Sequence, residues 1–519
     1  MLARLRDEPA LGFTDGFAVY GQAMEPAITA SLLYNLVQCP KRVERDLFGD
    51  PAERDEVSPF VSMLWERGTL YESEVLASGR FTVLDLSGVK DAAENERLTL
   101  DAMRRSEPLI YAGRIRAAEL VGIPDLLRFE NGAYTPIDIK SGRGEEGGED
   151  DHDGKPKLHY AVQLALYVDV LERLGFSAGR YGVILDVQGR EVRYDLTAAR
   201  GPKTPLSLWD EYQASLTTAQ AIVSKNVSPK GALASSCKLC HWYSKCVAVL
   251  RADDDLTLIP VLGRAIRDAM HDTIDTVSAL AAIDPEAFIE KGKTVFKGVG
   301  AERLKTFHAR ARLLTDPDAK PYLKAPIALP VSEVEFFFDI EVDPLRDFTY
   351  LHGIVERRGG DNATERFVAF FTENESPDAE RAAFSDSIAY LNSVPGATIW
   401  YYSKYERTIY RKLQARYPDV CSADEIEQLF DPARTIDLYN DVVTRATEWP
   451  TNDQSIKTLA KYLGFAWRDN NPSGAASIEW FDRWVRERDP AVKARILDYN
   501  EDDCRATRVL LDGIRELAY

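Results

Sequence analysis

A chain of 519 residues exceeds what one hydrophobic core organises, and a domain size of about 100–200 residues implies roughly three or four units. With 45% hydrophobic and 28% charged residues, the composition is that of a globular protein and excludes collagen-like and broadly disordered classes. The net charge of −19, from 83 acidic against 64 basic residues, excludes a protein that coats a polyanion by bulk attraction. Any nucleic acid would have to be held locally, where cations bound by clustered carboxylates invert the field.

Residues 1–27 read as an N-terminal extension. They lack the basic start and apolar run of a signal peptide, and no segment is long and apolar enough to cross a bilayer, so a cytoplasmic protein without a membrane partner is expected. Six cysteines in such a chain favour metal or cluster ligation over a disulfide framework. Residues 28–250 mix strand and helix signals. "SLLYNLVQCPKRVERDLF", which contains Cys39, reads as a helical segment, and "RGTLYESEV" offers Gly68, Tyr71 and Glu72.

In "GIPDLLRFENGAYTPIDIKSG", Asn131-Gly132 is the preferred pair for a two-residue type I′ hairpin, because both central residues need positive φ. That turn pairs Glu130 with Ala133, Phe129 with Tyr134 and therefore Asp125 with Asp138. Like charges about 5 Å apart across a sheet are destabilising unless a cation lies between them, and a metal ion is the natural candidate. Lys140 projects to the same face by the strand period, where it would neutralise a scissile phosphate or position a water. Pro136 inside the second strand threatens this register. The plainer alternative is a surface hairpin with a polar face. Downstream, the acid-rich loop "SGRGEEGGEDDHDGKP" reads as mobile, and "KLHYAVQLALYVDVLERLG" as a helix with Gln163 and Tyr167 one turn apart on one face.

"SCKLCHWYSKC" places Cys237, Cys240 and Cys246 at C-x2-C-x5-C spacing, three of the four ligands that a zinc ion or an iron-sulfur cluster needs. Residues 255–315 read as short helices with glycine punctuation, in which Gly298-Val299-Gly300 opens a helix and exposes N–H groups to a phosphate. The related "IPVLGRA" has Gly263 but Pro260 nearby where a second glycine would stand. A helical spacer is the alternative to backbone contact with DNA. "TDPDAKPYLKAPIALP" reads as a linker.

From residue 330 to 519 strand-like and helical runs alternate, as in an α/β domain. "EVEFFFDIEVDP" suits a buried strand with Asp339 and Glu341 on one face, a pair able to share divalent ions. "ARILDYNEDDCRATRVLLDGI" reads as a helix with Tyr499 and Asp503 one turn apart. Glu406 in "YYSKYERTIY" is a further acid, and Asp437 in "RTIDLYNDVV" a supporting one. No G-x-x-x-x-G-K-[ST] occurs, so unwinding would need a partner.

Pro124-Asp125, Asp138-x-Lys140 and Gln163-x3-Tyr167 together resemble the core of the RecB-like branch of PD-(D/E)XK nucleases. The resemblance implies catalysis by Asp125, Asp138 and Lys140 with Gln163 and Tyr167 contacting the site or the DNA, and Glu72 as a metal ligand. Tyr71 stands where that branch has histidine. One cysteine before and three after the nuclease core are also similar to this branch, which implies a 4Fe-4S cluster, with zinc as the alternative, on Cys39, Cys237, Cys240 and Cys246. The 255–315 segment resembles paired helix-hairpin-helix units, with Gly298 and Gly300 on DNA. Asp339-x-Glu341, Glu406 and Tyr499-x3-Asp503 resemble RNase H-like DEDD exonucleases of the tyrosine type (YprB-type), which implies Mg²⁺ or Mn²⁺ on the acids and Tyr499 orienting water. The fold expected is α/β multidomain: restriction-endonuclease-like, then helix-hairpin-helix-like, then RNase H-like. The activity implied is metal-dependent cutting of DNA strands or ends with 3′–5′ trimming, in repair, recombination or CRISPR-type end processing, beside a helicase or integrase partner. An RNA 3′ exonuclease and a non-catalytic nucleic-acid adaptor are the competing readings.

Overall fold

The computed structural model describes residues 26–147, 154–201, 204–470 and 472–518. The extension to residue 25 and the centre of the acid-rich loop, 148–153, lie outside them. The chain divides into two compact units, residues up to Pro51 with Leu70–Gly231, and Ala52–Thr69 with Ala232 onward. The fold is α/β throughout, in mixed sheets, and none of the helices is long and apolar enough to cross a membrane among the described residues.

The first unit is organised by a six-stranded sheet in which Ala133–Ile139 lies between Leu126–Glu130 and Tyr181–Leu185. The hairpin forms in the expected register: Leu126 pairs with Ile137 and Glu130 with Ala133 across Asn131 (φ 53°) and Gly132 (φ 84°). Pro136 does not shift it. The parallel pairing with Tyr181–Leu185 runs from Ile137 to Ile139, so the proline stands just before that ladder begins. The helix Leu158–Leu174 is buried along most of its length and ends at Gly175 in the left-handed conformation that lets glycine cap a helix. The segment around Cys39 is not one helix. Ala30–Gln38 and Pro40–Phe48 are separate, with Cys39 extended between them (φ −161°, ψ 109°), because a residue preceding proline is pushed out of the helical region and Pro40 is tolerated only in a first turn.

In the second unit, Gly263 and Gly300 cap the helices Arg264–Met270 and Ala301–Thr315. These helices share a core of Leu258, Ile259, Leu262, Phe296, Val299 and Phe307 with their neighbours. The left-handed position that Gly298 supplies (φ 77°) before the second helix is taken before the first by Val261 (φ 60°), not Pro260. The expected linker is stitched to a distant part of the chain, since Tyr322–Leu323 pairs with Thr447–Glu448 and Lys324 joins the buried Arg310–Glu448 ion pair.

The five-stranded sheet of this unit is ordered Asp361–Phe371, Phe348–Arg358, Val334–Asp343, Thr398–Tyr401, Thr435–Asp437. The first three strands are antiparallel hairpin neighbours, and the last two join in parallel. Phe336, Phe337 and Phe338 are fully buried, each contributing about 1.5–3 kcal/mol by leaving water. Against this sheet packs the helix Pro490–Arg515, started by Asp489 and Pro490.

Candidate active sites

At the first site the hairpin ladder ends at Leu126 and Ile137, and the next residues outward, Asp125 and Asp138, lie close enough for the Asp138 charge to act on Asp125. One Asp125 carboxylate oxygen accepts the Ile139 N–H at 2.6 Å, and Asp138 is paired with Lys140 at 3.0 Å. Glu72, on the helix Pro59–Ala77, accepts the Tyr111 hydroxyl at 2.9 Å. Each acid therefore has its own donor, and the three do not converge as a compact ligand set, yet their charges act on one another. Burial and then the Asp138 charge push Asp125 well above the usual carboxylate range, and burial raises Glu72. Burial would lower the Lys140 ammonium, but Asp138 and Asp125 outweigh it and hold the lysine protonated above its ordinary value.

Gln163 and Tyr167 share the buried face of the helix Leu158–Leu174. Burial, then the Asp138 and Asp125 charges, raise the Tyr167 hydroxyl, while Gln163 Oε1 is buried with no hydrogen-bond partner, an acceptor open to a ligand donor. Gly122, three residues before Asp125, is what lets this tyrosine approach, since a Cβ there would lie 2.5 Å from its ring. Tyr71 does not offer its hydroxyl to a metal; it donates to the Asp186 carbonyl.

At the second site Asp339, Glu341 and Asp503 present oxygens within 4.8 Å of one another, the one such ligand set among the described residues. The strand period sets the first two side by side, and the helix Pro490–Arg515 adds the third. The Asp339 and Glu341 carboxyls are raised by burial and then by Asp503, Glu341 to about 8. Acids raised in this way fit a site whose stabilising charge is a divalent cation. Glu406 lies outside the converging set, near enough for its charge to act on Asp339, its own carboxyl raised by burial. Asp437 accepts the N–H of Ser403 at 3.0 Å and of Asn440 at 2.9 Å, so it shapes the turn leading into Tyr405–Arg416, which carries Glu406.

Contacts from four residues at this site were not readable from the motifs. Lys457 Nζ lies 2.9 Å from the Tyr499 hydroxyl and 3.2 Å from both Asp503 oxygens, Trp467 Nε1 donates to Asp503 at 2.7 Å, Asn500 Nδ2 donates to Asp339 at 2.7 Å, and Tyr350 donates to Glu341 at 3.2 Å. Asn500 lies three residues before Asp503 in the helix, so the helical period that reveals Tyr499 and Asp503 could have flagged it. Lys457 and Trp467 come from distant segments with no local signal.

Cys237 and Cys240 lie on one 3₁₀ turn, closed by the Cys240 N–H donating to the Cys237 carbonyl at 3.0 Å, and Cys246 is in the first turn of Tyr243–Ala252. Gly298 and Gly300 are exposed just before the helix Ala301–Thr315.

Two carboxylate-centred sites on two mixed α/β sheets define a two-domain protein of the nuclease type. Family comparison agrees: residues 43–247 match the PD-(D/E)XK nuclease superfamily and residues 336–514 the RNase H superfamily. The chain carries one domain of each. No curated protein matches it.

Proposed function

We propose that both domains hydrolyse phosphodiesters with divalent metal, the first cutting DNA single strands or ends and the second trimming 3′ ends. The convergence of Asp339, Glu341 and Asp503 carries the reading. Glu72, Asp125 and Asp138 would hold Mg²⁺ or Mn²⁺ in the first domain, and Asp339, Glu341, Asp503 and Glu406 in the second. Bound there, the ion lowers the pKa of its water and polarises the phosphoryl group. Lys140, fixed by Asp138 and kept protonated, offers N–H donors to a phosphate oxygen rather than serving as a base. Gln163 Oε1 orients a donor of the substrate or its water. Tyr499, held beside Asp503, orients the attacking water.

The domain limits follow the residues: the nuclease over 28–250, the helix-hairpin-helix module over 255–315 with Gly298 and Gly300 on the DNA backbone, and the exonuclease over 330–519. The order of Cys39, Cys237, Cys240 and Cys246 along the chain is the ground for a 4Fe-4S cluster, with zinc as the alternative. Iron and sulfide near four per chain in anaerobically purified protein support the cluster, and stoichiometric zinc overturns it. Repair, recombination or CRISPR-type end processing beside a helicase or integrase is the setting these activities suit.

The test is a time course on single-stranded DNA labelled at either end, with Mg²⁺ or Mn²⁺. Lys140→Ala and Asp503→Ala should each remove a different product ladder. Intact DNA with cleaved RNA moves the substrate to RNA, and binding without cutting of either makes the protein an adaptor.

A further inference from the structure

We propose that Lys457 is a positioning residue of the second site that competes with the divalent ion for Asp503 while holding Tyr499 for turnover. This rests on reading that site as a metal-dependent exonuclease.

Lys457 is set rigidly. It lies in the first turn of the helix Ile456–Tyr462, whose N-cap Ser455 accepts the Thr458 N–H, and Ser455 is itself bonded to Asp453 at 2.6 Å. Its ammonium is 2.9 Å from the Tyr499 hydroxyl and equidistant, at 3.2 Å, from both Asp503 oxygens. The rings of Tyr499 and Trp467 flank it, with centroids 5.0 Å and 5.7 Å away. The Trp467 N–H adds a further donor to Asp503. Asp503 thus has donors on both oxygens while it supplies a ligand oxygen to the set with Asp339 and Glu341.

One cation has two effects here. Three ionised carboxylates present three negative charges, and Lys457 cancels one of them at contact distance, which lowers the attraction for a divalent ion. The same ammonium donates to the Tyr499 oxygen, leaving the tyrosine O–H to point elsewhere and fixing its ring beside Asp503. Removing Lys457 should therefore tighten metal binding and impair turnover at once. A merely structural residue moves both the same way, downwards.

The experiment measures Mn²⁺ binding by electron paramagnetic resonance on the full chain, with Asp125→Asn and Asp138→Asn silencing the first site. Lys457→Met should bind Mn²⁺ about tenfold more tightly, while kcat for 3′ trimming at saturating Mn²⁺ falls at least about tenfold with little change in KM. Lys457→Arg, which keeps the charge, should retain the parent affinity and recover part of the turnover. Unchanged or weaker Mn²⁺ binding in Lys457→Met overturns the inference while leaving the site's assignment standing. If neither the parent nor Lys457→Met binds Mn²⁺ in a manner that Asp503→Ala removes, the metal-site reading falls as well.

Discussion

Gly353 faces Asp339 across the sheet, and an added Cβ would lie 1.6 Å from Asn500 Oδ1, 2.8 Å from its Cγ and 3.1 Å from the Phe367 ring. Asn500 has nowhere to go: it is fully buried, and its Nδ2 holds Asp339 at 2.7 Å. Gly353→Ala must therefore displace a packed side chain, costing about 1–3 kcal/mol, and break a hydrogen bond to a carboxylate, worth about 1.5–3 kcal/mol. A loss of about 3–5 kcal/mol in unfolding free energy is expected for this domain, together with loss of 3′ trimming and retention of the cuts that depend on Lys140. The decisive assay is a double-mutant cycle in urea with Asn500→Ala, which removes the obstructing atoms. Adding Gly353→Ala to Asn500→Ala should cost less than about 1 kcal/mol, a coupling of at least about 2 kcal/mol. A near-neutral Gly353→Ala, or additive effects of the two substitutions, would refute the claim that glycine is there to admit Asn500.

Metal-free protein should lose stability as pH rises from about 4.5 to about 8. The Glu341 pKa is raised on folding, so the native state binds the extra proton across that window; each pKa unit costs about 1.4 kcal/mol, and thermal unfolding across the range checks it. Val261→Gly should stabilise by up to about 1 kcal/mol, since a β-branched residue at φ 60° is strained, and an unchanged urea midpoint would count against that strain. Arg310→Ala should destabilise by about 3 kcal/mol, because it leaves the buried Glu448 with Lys324 alone; chemical denaturation reads the loss, and a change under about 1 kcal/mol would mean Lys324 suffices.

Where a local rule operates alone, the sequence was legible. Asn131-Gly132 dictated its turn and the register from Leu126–Ile137 to Glu130–Ala133, and the strand period set Asp339 beside Glu341. The helical period likewise placed Tyr499 with Asp503 and Gln163 with Tyr167. The break at Cys39 was legible too, had Pro40 been weighed against the apolar pattern around it. Val261 was not: a β-branched residue carries no signal for a left-handed turn, and its neighbours Ile259 and Leu262 are simply apolar core residues. Lys457 and Trp467 escaped because they reach Asp503 from segments 46 and 36 residues away, where nothing local marks them. The linker at 315–330 looked unstructured because its strand is two residues long and its partner, Thr447–Glu448, lies far along the chain.

On the proposed metal-dependent reading of the second site, the raised carboxyls of Asp339 and Glu341 would make metal loading an exchange rather than a simple addition. A divalent ion can enter only as protons leave, so its uptake should acidify an unbuffered solution, and its apparent binding enthalpy should vary with the ionisation heat of the buffer. What such a site senses is the ratio of free metal to a power of the proton activity. On that reading an acid shift would weaken metal binding, and restoring the pH would restore it.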